Sequence, residues 1–194
     1  MSGDAIVMIA EGADGLSYGT DPNGYSAFLF ESDSDAQALQ MAAADYSCAL
    51  TVRAICAKAG VDGSCHFEGR ERDVLREPYA ELTGLAVALL IELATARGLW
   101  SAHPTLADLQ PGVVVLIEAP DHVLTIVKRT EQGGAVILES IEGGQTDPLN
   151  HGHGTAIHRK TRYAEQGPGG RLIVGRTVRG CFDAGALPCL PGPA

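Results

Sequence analysis

Apolar residues follow two different periods along this chain, and the switch between them divides it. Cys48, Val52, Ile55, Cys56 and Ala59 recur at the helical period and share one face, with Arg53 and Lys58 expected to point away. Ser47 or Asp45 can cap the start of this helix, and Gly60 supplies the left-handed residue that stops it. Upstream, Ser34 is placed to cap a helix from Asp35 to about Ala44. If that helix runs unbroken into the next, Cys48 lies in mid-helix and loses the terminal N–H groups a helix tip would give it. Pro78 fits the first turn of a long helix through Leu82, Leu85, Leu89 and Leu93 to Arg97, closed by Gly98. Its apolar residues lie almost all round between Leu85 and Ile91, as in a helix buried on several sides.

After Trp100 the period shortens and β-branched residues take over. Val113 to Ile117 reads as a central strand, His122 to Val127 as a second, and Ala135 to Ile141 as a third across the Gly133-Gly134 turn. Two weaker strands are expected around Ala156 to Tyr163 and Arg171 to Val178, joined by Gly167-Pro168-Gly169-Gly170. Helices first and then an antiparallel meander make an α+β fold, with N-terminal helices packed on a C-terminal sheet. Residues 1–33 combine two short apolar pieces with the turn-like Asp21-Pro22-Asn23-Gly24 and read as an irregular lead-in. The folded domain is expected over 34–186, and 187–194 as a loose tail.

At 194 residues the chain is long enough to bury a core without disulfide staples. Its formal charge of −10 and the absence of a Lys/Arg cluster argue against nucleic acid as a partner. Five cysteines without a C-x-x-C spacing or a regular framework read as reduced thiols. Met1-Ser2-Gly3-Asp4 has no basic n-region, and Leu85 to Ile91 is too short to cross a bilayer before Glu92. The expectation is a chain cytoplasmic as synthesised, without membrane insertion, whose delivery to a periplasm or cell wall would need a route not visible in the sequence.

Cys48 is the candidate nucleophile, set against the commoner role of a cysteine as a small core hydrophobe. A thiol nucleophile needs a base, and of the six histidines only His122 opens a core strand, where the sheet would hold it rigid at the rim. The alternative for His122 is a solvated rim residue. Neither Cys65-His66 nor His151-Gly152-His153 with His158 has partners at metal-ligand spacing, so no metal and no cofactor are expected.

An ordered set of motifs resembles a known family. Cys48-Ala49-Leu50-Thr51-Val52-Arg53 through Ala59-Gly60-Val61 is followed by Leu109-x-Pro111-Gly112-x-Val114-Val115. Then come Asp121-His122-Val123 and, after a hairpin, Glu142-Gly143-Gly144-Gln145. Together these look like the papain-like cell-wall hydrolases, the NlpC-type endopeptidases and CHAP amidases, over roughly residues 46–145. The resemblance implies a papain-like catalytic domain with Cys48 as nucleophile and His122 as general base, acting by acyl transfer on peptide bonds of peptidoglycan. It puts the orienting residue at Glu142, with Gln145 as a helper. Glu139 is the rival, and because strand side chains alternate, both glutamates cannot face the histidine without a bulge. Leu124 stands where the family has a glycine, and Val113 where it usually has an aspartate. Two other readings use the same residues: a cytosolic deamidase, isopeptidase or acyltransferase, and a catalytically idle papain-like binding module. An inhibitory partner protein is left open.

Overall fold

The computed structural model describes residues 3–30, 36–60, 91, 94–118, 122–147, 149 and 154–187, without the side chains of 30 and 36–46. Among the described residues it is mixed α+β, with three helices in the N-terminal part and an antiparallel sheet of six strands after them. The helices are α1 (Gly3–Gly12), α2 (Pro22–Phe30) and α3 (Ala36–Lys58). The strands are β1 (Val113–Ile117), β2 (His122–Gln132), β3 (Ala135–Gln145), β4 (Ala156–Gln166), β5 (Leu172–Val174) and β6 (Val178–Asp183). None of the helices is long and apolar enough among the described residues to cross a membrane.

The lead-in expected to be irregular is helical. In α1, Ile6 and Ala10 are buried one turn apart, with Ala13 buried beyond the helix end, an i, i+4, i+7 stripe hidden by its brevity. The Asp-Pro-Asn-Gly stretch is a helix start rather than a free turn: Asp21 Oδ1 accepts the Gly24 N–H at 2.9 Å, and Pro22 occupies the first helical position. Residues 15–18 then bond to the start of β4, through Gly15 N–H to Ile157 O and Tyr18 N–H to Thr155 O. Ile6, Ala10, Tyr25 and Leu29 belong to the same core as α3, so residues 3–30 pack into the domain.

The helix proposed to begin at Cys48 instead starts at Ala36 and runs without a break. The expected stripe is there, but burial extends all round from Ser47 to Cys56. Arg53 does not point away. It is buried, and its Nη2 donates to the Leu29 carbonyl at 2.7 Å, closing the end of α2. Lys58 lies over the Phe28 ring. Gly60 ends the helical segment with φ 77°, as expected. Most of the helix expected from Pro78 falls outside the described residues. Its end shows helix over 94–96 and Gly98 at φ 67°.

The sheet order is β5-β4-β3-β2-β1-β6, and the chain passes from one edge to the other through Gly175–Thr177. The run read as one strand from Arg171 to Val178 is therefore split: Gly175 at φ 66° turns it, leaving β5 and β6 on opposite edges of a nearly closed sheet. Side chains alternate between two cores. Val114, Leu116, Val123 and Ile141 face the helices. Val115, Ile117, Leu124, Ile126 and Leu138, with residues of β4, β5 and β6, fill the inside of the curled sheet. Each such fully buried aliphatic side chain contributes about 1.5–3 kcal/mol. At the other end Leu187 is buried, so the expected loose tail begins no earlier than 188, beyond the described residues.

Candidate functional site

Two glycines bring the central helix and the sheet together where Cys48 lies. Gly143 approaches α3 so closely that a β-carbon there would overlap the Ser47 carbonyl and Thr51 Oγ1. Gly144, at φ 71°, passes the Cys48 backbone, and the β3–β4 register shifts between Glu142 and Gln145. A bulge built from glycines is how a strand can lie against a helix backbone.

His122 opens β2, paired with Ile117 of β1. Its Nε2 stands 2.8 Å from Glu142 Oε2, and since an ionised carboxylate only accepts, Nε2–H is the donor. That leaves Nδ1 as the nitrogen open to Cys48, whose side chain lies near enough to help hold a proton on the imidazole. Burial alone would depress the histidine, but the bonds to Cys48 and Glu142 and the charges of both outweigh it and raise its pKa to about 9. The imidazolium is thus the neutral-pH form. Cys48 is 8 % exposed and the His122 side chain 17 %, so the pair lies just under the surface.

Glu142 is fully buried, and both its oxygens accept two bonds. Oε1 receives Ser140 Oγ–H at 2.6 Å and Arg162 Nε–H at 2.5 Å; Oε2 receives His122 and Arg162 Nη2–H at 2.6 Å. Burial pushes its pKa up, and the bonds from Arg162, His122 and Ser140 pull it down further, to about 2. Glu139, the rival, lies on the opposite face. Lys128 Nζ and Arg159 Nη1 hold it at 2.6 and 2.8 Å, and Arg159 reaches on to Glu11 and Asp14 near the first helix. Glu139 therefore ties the sheet to α1 and does not meet the histidine. Gln145 turns its amide to the Gly143 carbonyl at 3.2 Å, bracing the bulge rather than touching the imidazole.

Three further residues of the site escape sequence reasoning. Arg162 stands out only in an Arg159-x-x-Arg162 piece faintly like the tail of some phage and bacterial relatives, which gives it no site role, and Ser140 carries no motif; strand register puts them near Glu142, since Arg162 pairs with Leu138 and Ser140 is two residues away on the same face. The third is Tyr25 of α2. Its buried hydroxyl lies beside the Ser47 hydroxyl, which spends its own proton on the Gly154 carbonyl at 3.0 Å, and no bond of full geometry satisfies the phenol. Burial, with the charges of Asp147 and Cys48 nearby, raises the Tyr25 pKa above its ordinary value and keeps it a donor.

Cys56 and Cys181 are buried elsewhere, and burial pushes the Cys181 thiol up to about 12. Among the described residues no three His, Cys, Asp or Glu side chains gather as metal ligands. His158 lies on β4, while Cys65, His66, His151 and His153 fall outside the description. A cavity of about 430 Å³ is lined by His103, Glu118, Gln166, Arg171 and Arg179 among others, and by none of Cys48, His122 or Glu142. Compared with family models, with curated proteins and with solved structures, the chain matches none.

Proposed function

We propose that the protein is a cysteine amidase or endopeptidase that cleaves an amide bond by acyl transfer, with Cys48, His122 and Glu142 as its working residues. The observation that carries this reading is the position of His122, close to Cys48 and bonded at 2.8 Å to a buried carboxylate. That is the constellation a thiol nucleophile needs: a base, and a polar group that fixes the base's tautomer.

In this reading the Cys48 sulfur attacks the amide carbonyl and forms a C–S bond. The imidazolium of His122 gives its proton to the departing amine as the C–N bond breaks. Water, deprotonated by neutral His122, then attacks the thioester, the C–S bond breaks to release the acid, and the thiolate–imidazolium pair is restored. Activation rests on the imidazolium and not on a helix tip, because Cys48 lies about three turns inside α3 and its own N–H belongs to the helix ladder. The oxyanion therefore needs another donor, and the Tyr25 hydroxyl, buried beside Ser47 and Cys48, is the one we assign. The papain-like arrangement and the peptidoglycan substrate come from the sequence resemblance.

The test is release of new amino groups from purified cell-wall sacculi by the wild type and not by Cys48→Ala. Release of ammonia from protein glutamine, with walls untouched, would select a deamidase built on the same residues. A second reading has its own observation: a cysteine 8 % exposed inside a continuous helix suits an idle module in which Cys48 is packing. Equal, slow alkylation of Cys48, Cys56 and Cys181 in the native protein would select that one.

A further inference from the structure

We propose that Arg162 is a positioning residue of this site: by its two-pronged grip on Glu142 it fixes the carboxylate that aims His122 at Cys48. The proposal rests on the amidase reading and deepens it.

The geometry is that of a fork on a fork. Arg162 Nε and Nη2 lie 2.5 and 2.6 Å from the two oxygens of Glu142, so the guanidinium and carboxylate planes are locked together. Arginine suits this better than lysine, which brings one ammonium and no fork. With Ser140 Oγ on Oε1, the approach left for His122 is to Oε2. The carboxylate can neither turn nor be protonated near neutral pH without breaking one of these bonds. The β5–β6 turn runs beside Arg162: a β-carbon at Gly175 would meet its Nη1 at 3.1 Å, and Gly175 N–H bonds the neighbouring Tyr163 carbonyl.

The grip also sets how strongly Glu142 pulls on the imidazole. His122 is faced by Cys48 from α3 and Glu142 from β3. Glu142 is faced by His122 from β2, by Ser140 of its own strand, and by Arg162 and its register partner His158 from β4. Arg162 is the cation that shares this carboxylate with the imidazolium. Without it Glu142 has one positive partner instead of two, and His122 holds its proton to higher pH. A residue that only stabilised the sheet would leave that titration where it is.

The experiment follows the His122 ring signal by NMR across pH in the wild type, Arg162→Gln and Arg162→Lys, and measures Cys48 alkylation by iodoacetamide at pH 7 in each. In Arg162→Gln the His122 midpoint moves up and Cys48 alkylates about tenfold more slowly, the scale of a misplaced supporting shell. Arg162→Lys, which restores the charge without the fork, returns the midpoint toward wild type and recovers the alkylation rate in part. A folded Arg162→Gln with the wild-type midpoint and rate overturns the proposal. If that variant does not fold, Arg162→Lys with the full wild-type alkylation rate overturns it. A shifted midpoint in Arg162→Gln, combined with wild-type Cys48 labelling no faster than Cys56 and Cys181, supports the grip on His122 and overturns the amidase reading instead.

Discussion

Gly143 and Ser47 meet backbone to backbone, with no room between them for a single additional carbon. The contact sets the distance between the strand that carries Glu142 and the helix that carries Cys48. Gly143→Ala is expected to force β3 away from α3, costing about 2 kcal/mol or more in urea unfolding. In the fraction that folds, Cys48 alkylation loses its dependence on His122. An alanine variant as stable and as reactive as the wild type would show that the contact is loose.

The pairing of Cys48 with His122 predicts selective reactivity. In the native protein Cys48 is expected to alkylate first, with Cys56 and Cys181 lagging because they are buried, the latter with its thiol pushed up to about 12. His122→Ala is expected to slow Cys48 by about tenfold or more and leave the other two unchanged. Peptide mapping by mass spectrometry after timed labelling reads all three at once.

Stability should fall at both ends of the pH scale, as the two partners of one buried pair titrate. Glu142 titrates at about 2 in the folded chain against an ordinary 4.5. Its contribution is complete above 4.5 and lost as pH falls toward 2, roughly 3 kcal/mol in all. His122 is shifted the other way, from 6.5 to about 9, so its contribution is complete below 6.5 and lost as pH rises through 9. Urea unfolding across pH is expected to show a plateau between the two limbs. Glu142→Gln should flatten the acid limb and also weaken the alkaline one, since Glu142 helps hold the imidazole proton, whereas His122→Ala should remove the alkaline limb and shorten the acid one, each on a lower baseline. Limbs unchanged in those variants would place the titrating groups elsewhere.

Tyr25→Phe separates catalysis from packing. Removing a buried hydroxyl that lacks a satisfying partner is expected to leave stability within about 0.5 kcal/mol of wild type, or to raise it. If the phenol serves the oxyanion, hydrolysis should nonetheless drop by roughly 100-fold. Full activity in the variant would assign the donor to another group.

Arg53 offers a test of the helical layer alone. Its bond to the Leu29 carbonyl is buried, so Arg53→Met, which keeps the stem and removes the donor, is expected to lower stability by about 2 kcal/mol. Its Cys48 labelling should stay selective, as measured on the folded fraction.

The chain's β half was legible because its signals are local. β1 runs from Val113 to Ile117 as the apolar run suggests, and His122 opens β2 as the turn residues before it suggest, whereas Glu142 was singled out by the resemblance and lies inside β3, which runs on to Gln145. What stayed hidden depends on distance. Arg162 looks like any polar residue on an alternating strand, and only the curl of the sheet turns it inward onto Glu142. The N-terminal helices were misread because Asp21-Pro22 serves equally as a turn and as a helix start, and α1 is barely three turns long. The continuity of α3 was left open because Asp45 and Ser47, both good caps, sit inside it. Ser47 spends its hydroxyl on Gly154 rather than on a helix end.

The turn at Gly175 closes the sheet directly over Arg162. Because strands enter in chain order, a ribosome-bound polypeptide that has emerged only as far as β3 holds Cys48, His122 and Glu142 but lacks the cation that steadies the last of them. The thiol is therefore made early, and the carboxylate beside its histidine gains the guanidinium partner only once β4 has joined the sheet.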